Sequence, residues 1–258
     1  MTASERHRQH ALSFGDFAAG YERGRPSYPA AAVDWLLPPG CRRVADVGAG
    51  TGKLTRLLRA RGLDVTAVEP SPGMREQLAR QVPDVPVLPG TAEQIPLPDG
   101  SVDAVLLAQA WHWAEPARAL PEAARVLVPG GWLGLLWNVR DEQVPWVAEL
   151  GRIMQAHRDP PHDYAPPLGP PFGPPERFTV RWVNQLTPDA LLDMVASRSY
   201  VITLPPQART ALLGQVRRLL ATHPDLAGAT GIPLPYLTRC TRASAPGGRA
   251  IGNGGRSG

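Results

Sequence analysis

A doubly wound α/β fold on a mostly parallel sheet is predicted by three observations. Short apolar strand-like runs alternate with helical segments across residues 43–137, the pattern of strand–helix–strand units. The runs are nearly continuous in apolar residues, as strands covered on both faces must be. Helix-stopping signals, among them Pro38-Pro39-Gly40, Gly62 and Pro129-Gly130-Gly131, fall between them.

Each element has a local reason. Residues 14–28 are aromatic and basic, with Phe14, Phe17 and Tyr21 at helical spacing until Pro26 and Pro29 break the pattern. A helix is expected over 30–37 and a strand over 43–47. A second helix over 53–61 carries Leu54, Leu57 and Leu58 on one face, and Gly62 closes it. A strand over 65–68 precedes a helix with Ser71 as N-cap, Pro72 at its first position and Met74 and Leu78 on one face. The run 85–88 contains Pro86, which predicts a sheet edge. Strands over 102–107 and 132–137 flank a helix over 117–127. Beyond these, helices are expected over 144–157, 188–197 and 206–222, and strands over 178–182 and 236–241. Residues 159–175 hold eight prolines and read as a linker or lid.

The composition narrows the function classes. Hydrophobic residues make up 43%, enough for a core, and no run is long and apolar enough to suggest a membrane span or a signal peptide. The chain therefore reads as soluble and cytoplasmic. Cys41 and Cys240 are two separate small hydrophobes without metal-ligand spacing. The net charge is +4, but the arginines are scattered and Lys53 is the sole lysine. Solvated helix faces explain that better than a nucleic-acid stripe, and nucleic acid is not the expected partner.

The chemistry concentrates at the strand ends. Asp46-Val47-Gly48-Ala49-Gly50-Thr51-Gly52 joins the first strand to its helix. Glycines let the backbone pass close to a ligand, and the helix start presents free N–H groups. The dinucleotide fingerprint would need glycine where Lys53 stands. The phosphate loop would need glycine at Val47 and Ser or Thr at Leu54. Asp46 would repel a pyrophosphate and suits a ligand end carrying an ammonium group. Glu69 ends the second strand, where an acid hydrogen-bonds ribose hydroxyls. Thr91-Ala92-Glu93 and Gln109-Ala110-Trp111-His112-Trp113 follow the next strands at the same sheet edge.

With these residues in place, residues 44–55, Glu69-Pro70-Ser71-Pro72-Gly73-Met74, Gly90-Thr91-Ala92-Glu93-Gln94-Ile95-Pro96 and Arg125-Val126-Leu127-Val128-Pro129-Gly130-Gly131 resemble the class I S-adenosylmethionine (SAM)-dependent methyltransferase family, in particular the small-molecule branch of trans-aconitate and ubiquinone-type enzymes. The resemblance covers residues 14–140 well and the C-terminal half in outline. It implies a Rossmann-like, mostly parallel seven-stranded sheet with the last strand antiparallel and a helical cap. It also implies SAM as cofactor and methyl transfer to an O, N or C nucleophile of a small molecule. Gly48, Gly50 and Gly52, with Ala49 between them, would line the methionine moiety, and Asp46 would hold the loop or the ammonium group. Glu69 would bind the ribose. Pro70 and Met74 would flank the adenine, Ala92 and Glu93 would meet its edge, and Gln109 would sit near the methionine part. Tyr21 would close the methyl pocket and Arg25 would meet an acidic substrate group.

The expected division is an N-terminal helical lid over 1–40, a SAM-binding core over 41–140, the rest of the sheet with a substrate cap over 141–243, and a disordered tail over 244–258. Other readings stand beside these. Asp46 could cap the next helix, Met74 could be core, Glu93 a surface acid, and Phe14, Phe17 and Tyr21 simple packing. His112 is the candidate base if the nucleophile is a hydroxyl; otherwise it packs between rings. Trp111 and Trp113 either wall the substrate or anchor their loop. Arg23, Arg25 and Arg140 weakly favour an anionic or polar acceptor. An RNA or protein methyltransferase, and a SAM-binding protein catalysing a rearrangement, remain alternatives.

Overall fold

The computed structural model describes residues 26–155, 166 and 168–247. In chain order the elements are α1 (Ala30–Leu36), β1 (Arg43–Val47), α2 (Lys53–Arg59), β2 (Asp64–Val68), α3 (Pro72–Gln81), β3 (Val87–Leu88), β4 (Val102–Ala108), a 3-10 turn (Trp111–Trp113), α4 (Pro116–Val126), β5 (Leu127–Arg140), α5 (Pro145–Gln155), β6 (Glu176–Leu186), α6 (Pro188–Ala196), α7 (Ser199–Ile202), α8 (Pro206–Thr222) and β7 (Ile232–Ser244).

The strands form one seven-stranded sheet in the order β3-β2-β1-β4-β5-β7-β6. The ladders from β3 to β5 are parallel, and β7 runs antiparallel to both β5 and β6. The apolar runs alternate faces as the pleat demands. Ala45, Val47, Val105, Leu107, Leu133 and Leu135 pack on one side with α4. Val44, Val65, Ala67, Ala104, Leu106 and Leu136 pack on the other, under α1, α2 and α3. A third cluster joins α5, α6 and α8 to Ile232, Leu234 and Tyr236 of β7. It builds a helical cap beside the carboxyl end of β5, which stops at Arg140 opposite Tyr236.

Several boundaries differ from expectation. β5 begins at Leu127, because Pro129-Gly130-Gly131 is a register break within the strand rather than a stop. β6 and β7 are each about twice the expected length. Ser71 occupies the N-cap position of α3, but its hydroxyl makes no cap bond. The first residues of the expected tail belong to the fold: Ser244 pairs with Trp132, and the buried Ala245 donates to the Gly131 carbonyl, while residues 248–258 lie outside the described residues. The described part of the expected lid, residues 26–40, contains α1, whose Ala32, Val33 and Leu36 are buried in the sheet's covering layer.

One surface contact ties that layer together. The Arg242 guanidinium on β7 lies 4.1 Å from the ring centroids of both Trp35 on α1 and Trp132 on β5, and pairs with Glu176 at 2.7 Å. Cation–π contacts at partly buried sites contribute about 1–2 kcal/mol. Arg242→Ala is therefore expected to lower unfolding stability by about 1–2 kcal/mol in urea titration, with Arg242→Lys recovering only part. An unchanged midpoint in Arg242→Ala would show that the stack contributes nothing.

Candidate active site

The strand order reverses between β1 and β4, so the connections leaving their carboxyl ends diverge and open a crevice. The glycine loop forms its floor. Gly48 and Ala49 donate to the Val68 carbonyl at 2.8 and 3.2 Å, holding the loop against β2. Gly48, Gly50 and Gly52 all have positive φ, at 69°, 57° and 88°. At Gly48 space adds to the requirement, since a Cβ there would stand 2.6 Å from the Ala110 Cβ.

Glu69 locks the loop from the side. Its Oε2 accepts from the Gly50 N–H and its Oε1 from the Ser71 N–H, each at 2.9 Å. Burial pushes its carboxyl pKa up, while those N–H bonds pull it down. Arg75 donates to the carbonyls of Glu69 and Pro70 and fixes that corner.

Asp46 is fully buried at the end of β1, and its Oδ2 accepts from the Thr55 hydroxyl at 2.6 Å. The N-cap residue of α2 is Gly52, and Asp46 holds the first turn of that helix from β1 through Thr55. Its Oδ1 is buried and has no hydrogen-bond partner among the described residues. Burial pushes the Asp46 pKa from 3.8 up to about 7, against the pull of the Thr55 hydroxyl. The folded state thus favours the protonated form, so this group's stabilising contribution is full below 3.8 and fades as pH rises to about 7. Asp46→Asn removes that loss. Relative to the natural chain, its unfolding free energy is expected to improve as pH rises from about 4 to about 7. Parallel pH profiles for the two proteins in urea titrations would contradict this.

The β4 side is equally fixed. Gln109 is the only non-glycine among the described residues with positive φ, at 56°. Its N–H donates to the Leu136 carbonyl and its Nε2 to the Asn138 carbonyl, at 2.9 and 3.1 Å. The 3-10 turn then sends Trp111 inward. That indole is buried within the cluster containing Leu107 and Leu120, where it anchors the turn. Trp113 is 37% exposed and stacks at a tilt on His112, ring centroids 4.9 Å apart. Met74 and the half-buried Pro70 sit at the α3 corner, Met74 only 4% exposed. Glu93 has a structural duty: its Oε1 accepts from the N–H of Glu115, the N-cap residue of α4, at 2.7 Å. Arg125 clamps the 91–99 loop, which carries Ala92, through the carbonyls of Ile95 and Leu97.

A narrow cleft, open to solvent, lies between the loop, the Gln109 corner and the C-terminal cap. Of the expected site residues it gathers Gly48, Ala49, Gly50 and Gln109. Asp46, Gly52, Glu69, Pro70, Met74, Ala92, Glu93, Trp111, His112 and Trp113 are described but do not line it. Tyr28, Lys53, Asn138, Arg198 and Tyr236 do, and sequence reasoning gave them no role there. Asn138 is set by a relay: Trp182 Nε1 donates to the Thr238 hydroxyl, which donates to Asn138 Oδ1, and Asn138 Nδ2 donates to the Ser27 carbonyl. Arg140 stays outside the cleft, buried, with Glu142 3.6 Å away. Tyr21, Arg23 and Arg25 lie outside the described residues.

The strand order, the glycine loop and the acid closing β2 define a methyltransferase-type cofactor domain. Residues 45–135 match a family profile described as a methyltransferase domain. The chain is 59% identical over 244 residues to an uncharacterized methyltransferase of Mycobacterium tuberculosis, covering 95% of this chain and 99% of that one. A methyltransferase-like protein of Schizosaccharomyces pombe is 32% identical over 237 residues, covering 88% and 93%. A solved methyltransferase structure from Anaeromyxobacter dehalogenans superposes with a TM-score of 0.61 at 25% identity, covering 86% and 97%. The chain belongs to the class I SAM-dependent methyltransferase family, and it is an enzyme of that family. No described helix is long and apolar enough to cross a membrane, and the described residues hold no cluster suited to a metal ion.

Proposed function

We propose that the enzyme transfers the methyl group of SAM to a small-molecule acceptor bound in the cleft beside the glycine loop. The observation that carries this reading is how the cleft is composed. One wall is the loop Gly48–Thr51 with Gln109. The other comes from Tyr28, Asn138, Arg198 and Tyr236, all outside the matched residues 45–135.

The residues fit the cofactor's chemistry. A buried carboxylate oxygen on Asp46 without a partner suits a cation, and SAM carries an ammonium and a sulfonium. Gly48, Ala49, Gly50 and Gly52 would pass the methionine part along the backbone, beside Gln109. Glu69 would accept from the ribose hydroxyls through the lone pairs its N–H bonds leave over. Pro70, Met74 and Ala92 would contact the adenine, with Glu93 at its edge. Bound SAM supplies an already activated methyl group, so the protein's task is alignment and exclusion of water. Gln109, held in its positive-φ corner, and Asn138, held by its relay, place the acceptor. His112 lies beyond the cleft wall, its ring against Trp113, so the reading assigns the rate to positioning rather than to proton abstraction.

The test is dependence on acceptor size. The purified chain with SAM is supplied either with the low-mass fraction of a cell extract or with its RNA and protein fraction, and S-adenosylhomocysteine (SAH) release is measured. Release is expected only with the low-mass fraction. Release driven by the macromolecular fraction would replace this reading with RNA or protein methylation.

A further inference from the structure

Asn138 lines the cleft from β5, and its orientation is decided two strands away. Asn138 pairs with Thr238 of β7, and Thr238 pairs with Val180 of β6, two residues from Trp182 on the same face. Trp182 Nε1 lies 2.8 Å from the Thr238 hydroxyl, and that hydroxyl lies 2.6 Å from Asn138 Oδ1. This chain of bonds has one possible direction. An indole N–H donates and never accepts, so Thr238 accepts from Trp182 and keeps its one proton for Asn138. The Asn138 amide cannot turn over, because its NH2 group would then face that proton. Thr238 is 0% exposed, so water offers no substitute. Asn138 Nδ2 is thereby turned to the Ser27 carbonyl, at 2.9 Å. Ser27 stands between Pro26 and Tyr28, which both line the cleft, so the NH2 group is the part of the amide on that wall.

The same indole sets a second cleft residue. Trp182 is the cross-strand partner of Tyr236, and their rings stack 5.3 Å apart at 22°. The Tyr236 hydroxyl meets the Met194 sulfur at 3.3 Å, so the side chain is held at both ends. One half-buried side chain that does not line the cleft thus orients two that do. Packing alone would need neither bond. Phenylalanine at 182 and valine at 238 would fill similar space without burying a donor or a hydroxyl.

We propose that Trp182 and Thr238 are positioning residues for methyl transfer: they hold the Asn138 amide with its N–H side to the acceptor and fix the Tyr236 ring beside it. The assignment rests on the reading that the cleft holds the acceptor, and it adds the residues that shape that wall. The cofactor side is independent of the relay. Gln109 bonds the backbone carbonyl of Asn138, which the β5–β7 ladder holds, and not the side chain.

Magnetic resonance on the full, nitrogen-labelled chain tests the relay, and turnover tests its consequence. The Asn138 side-chain amide pair is assigned by its loss in Asn138→Asp. Thr238→Val is expected to move that pair and to speed its hydrogen exchange at least about tenfold, with Trp182→Phe moving it less. SAH release from SAM with the low-mass extract fraction is expected to fall about tenfold in Thr238→Val and about threefold in Trp182→Phe, while SAM affinity by calorimetry stays within about threefold. Thr238→Ser keeps the hydroxyl and is expected to restore both the amide signal and turnover. The double variant is expected to lose no more than Thr238→Val alone, because both residues act through one chain of bonds. Trp182→Phe carries the test if Thr238→Val does not fold. The proposal is overturned if the amide pair is unmoved in both variants, if turnover is unmoved while the pair moves, if SAM affinity falls as far as turnover, if the two losses add, or if Thr238→Ser restores neither readout. The amide signal needs no acceptor and decides the relay by itself. A natural chain that releases no SAH with the low-mass fraction would instead remove the small-molecule reading beneath the proposal.

Discussion

Gly48→Val is expected to abolish measurable SAH binding, a loss of at least about 100-fold, in a chain that still folds. Two costs coincide at this position. Gly48 has φ 69°, a region that non-glycine residues occupy at a cost of about 1–3 kcal/mol, more for a β-branched one. Its Cβ would also stand 2.6 Å from the Ala110 Cβ, a separation no packed structure tolerates. Relief requires the loop to lift from β2, breaking the Gly48 bond to the Val68 carbonyl, or the Gln109–Ala110 corner to move away from Leu136. Either movement deforms the wall shared by cofactor and acceptor. Gly48 is only half-buried and belongs to neither core cluster, so the thermal midpoint should fall by a few degrees while binding disappears. Gly48→Ala should lie between the two. A Gly48→Val chain that binds SAH normally would mean that the loop is not the cofactor floor.

Glu69→Ala is the second large effect, and it should appear in binding and stability together. The buried Glu69 carboxylate satisfies the N–H groups of Gly50 and Ser71 at once. Alanine orphans both donors, at about 1–3 kcal/mol each where water cannot replace the carboxylate. The loop loses its side-chain tether, keeping only the Gly48 and Ala49 bonds to the Val68 carbonyl, and under the proposed function the ribose would lose its acceptor. SAH affinity is expected to fall about 100-fold, with a clear drop in the melting temperature. Glutamine is no remedy, because its NH2 group would face one of the two N–H donors. Calorimetry and thermal melting on Glu69→Ala and Glu69→Gln check both parts. A stable Glu69→Ala chain with unchanged SAH affinity would reduce Glu69 to a solvated strand-end acid.

What the sequence made legible follows from where the information resides. β1, β2 and β4 are covered on both faces, so their apolar runs mark them with little ambiguity. β6 is a sheet edge whose burial alternates between exposed and half-buried, and its polar residues Arg177, Arg181 and Asn184 concealed most of its length. β7 was concealed by Pro233 and Pro235. Both fall where β7 has run past Arg140, the last residue of β5 to pair with it, so one side of its ladder is open and a missing N–H is tolerated. The loop and its flanking acids were legible because Asp46, the three glycines and Glu69 lie at fixed distances along 24 residues, at the ends of two adjacent strands. The opposite wall of the cleft was not. Tyr28, Asn138, Arg198 and Tyr236 converge from four separate stretches of the chain, and no spacing along it records that meeting. Trp111 was open to two readings for a related reason: an indole beside a site and an indole beneath it look the same until the 3-10 turn fixes its direction.

The most direct measurement is calorimetric titration of the natural chain with SAH and, separately, with NAD. Lys53 stands where a dinucleotide loop needs its third glycine, and the buried Asp46 beneath the loop would repel a pyrophosphate. The account predicts saturable one-to-one SAH binding that strengthens as pH rises through about 7, where Asp46 ionises, and no heat from NAD. A folded chain that binds NAD, or that ignores SAH, would contradict it.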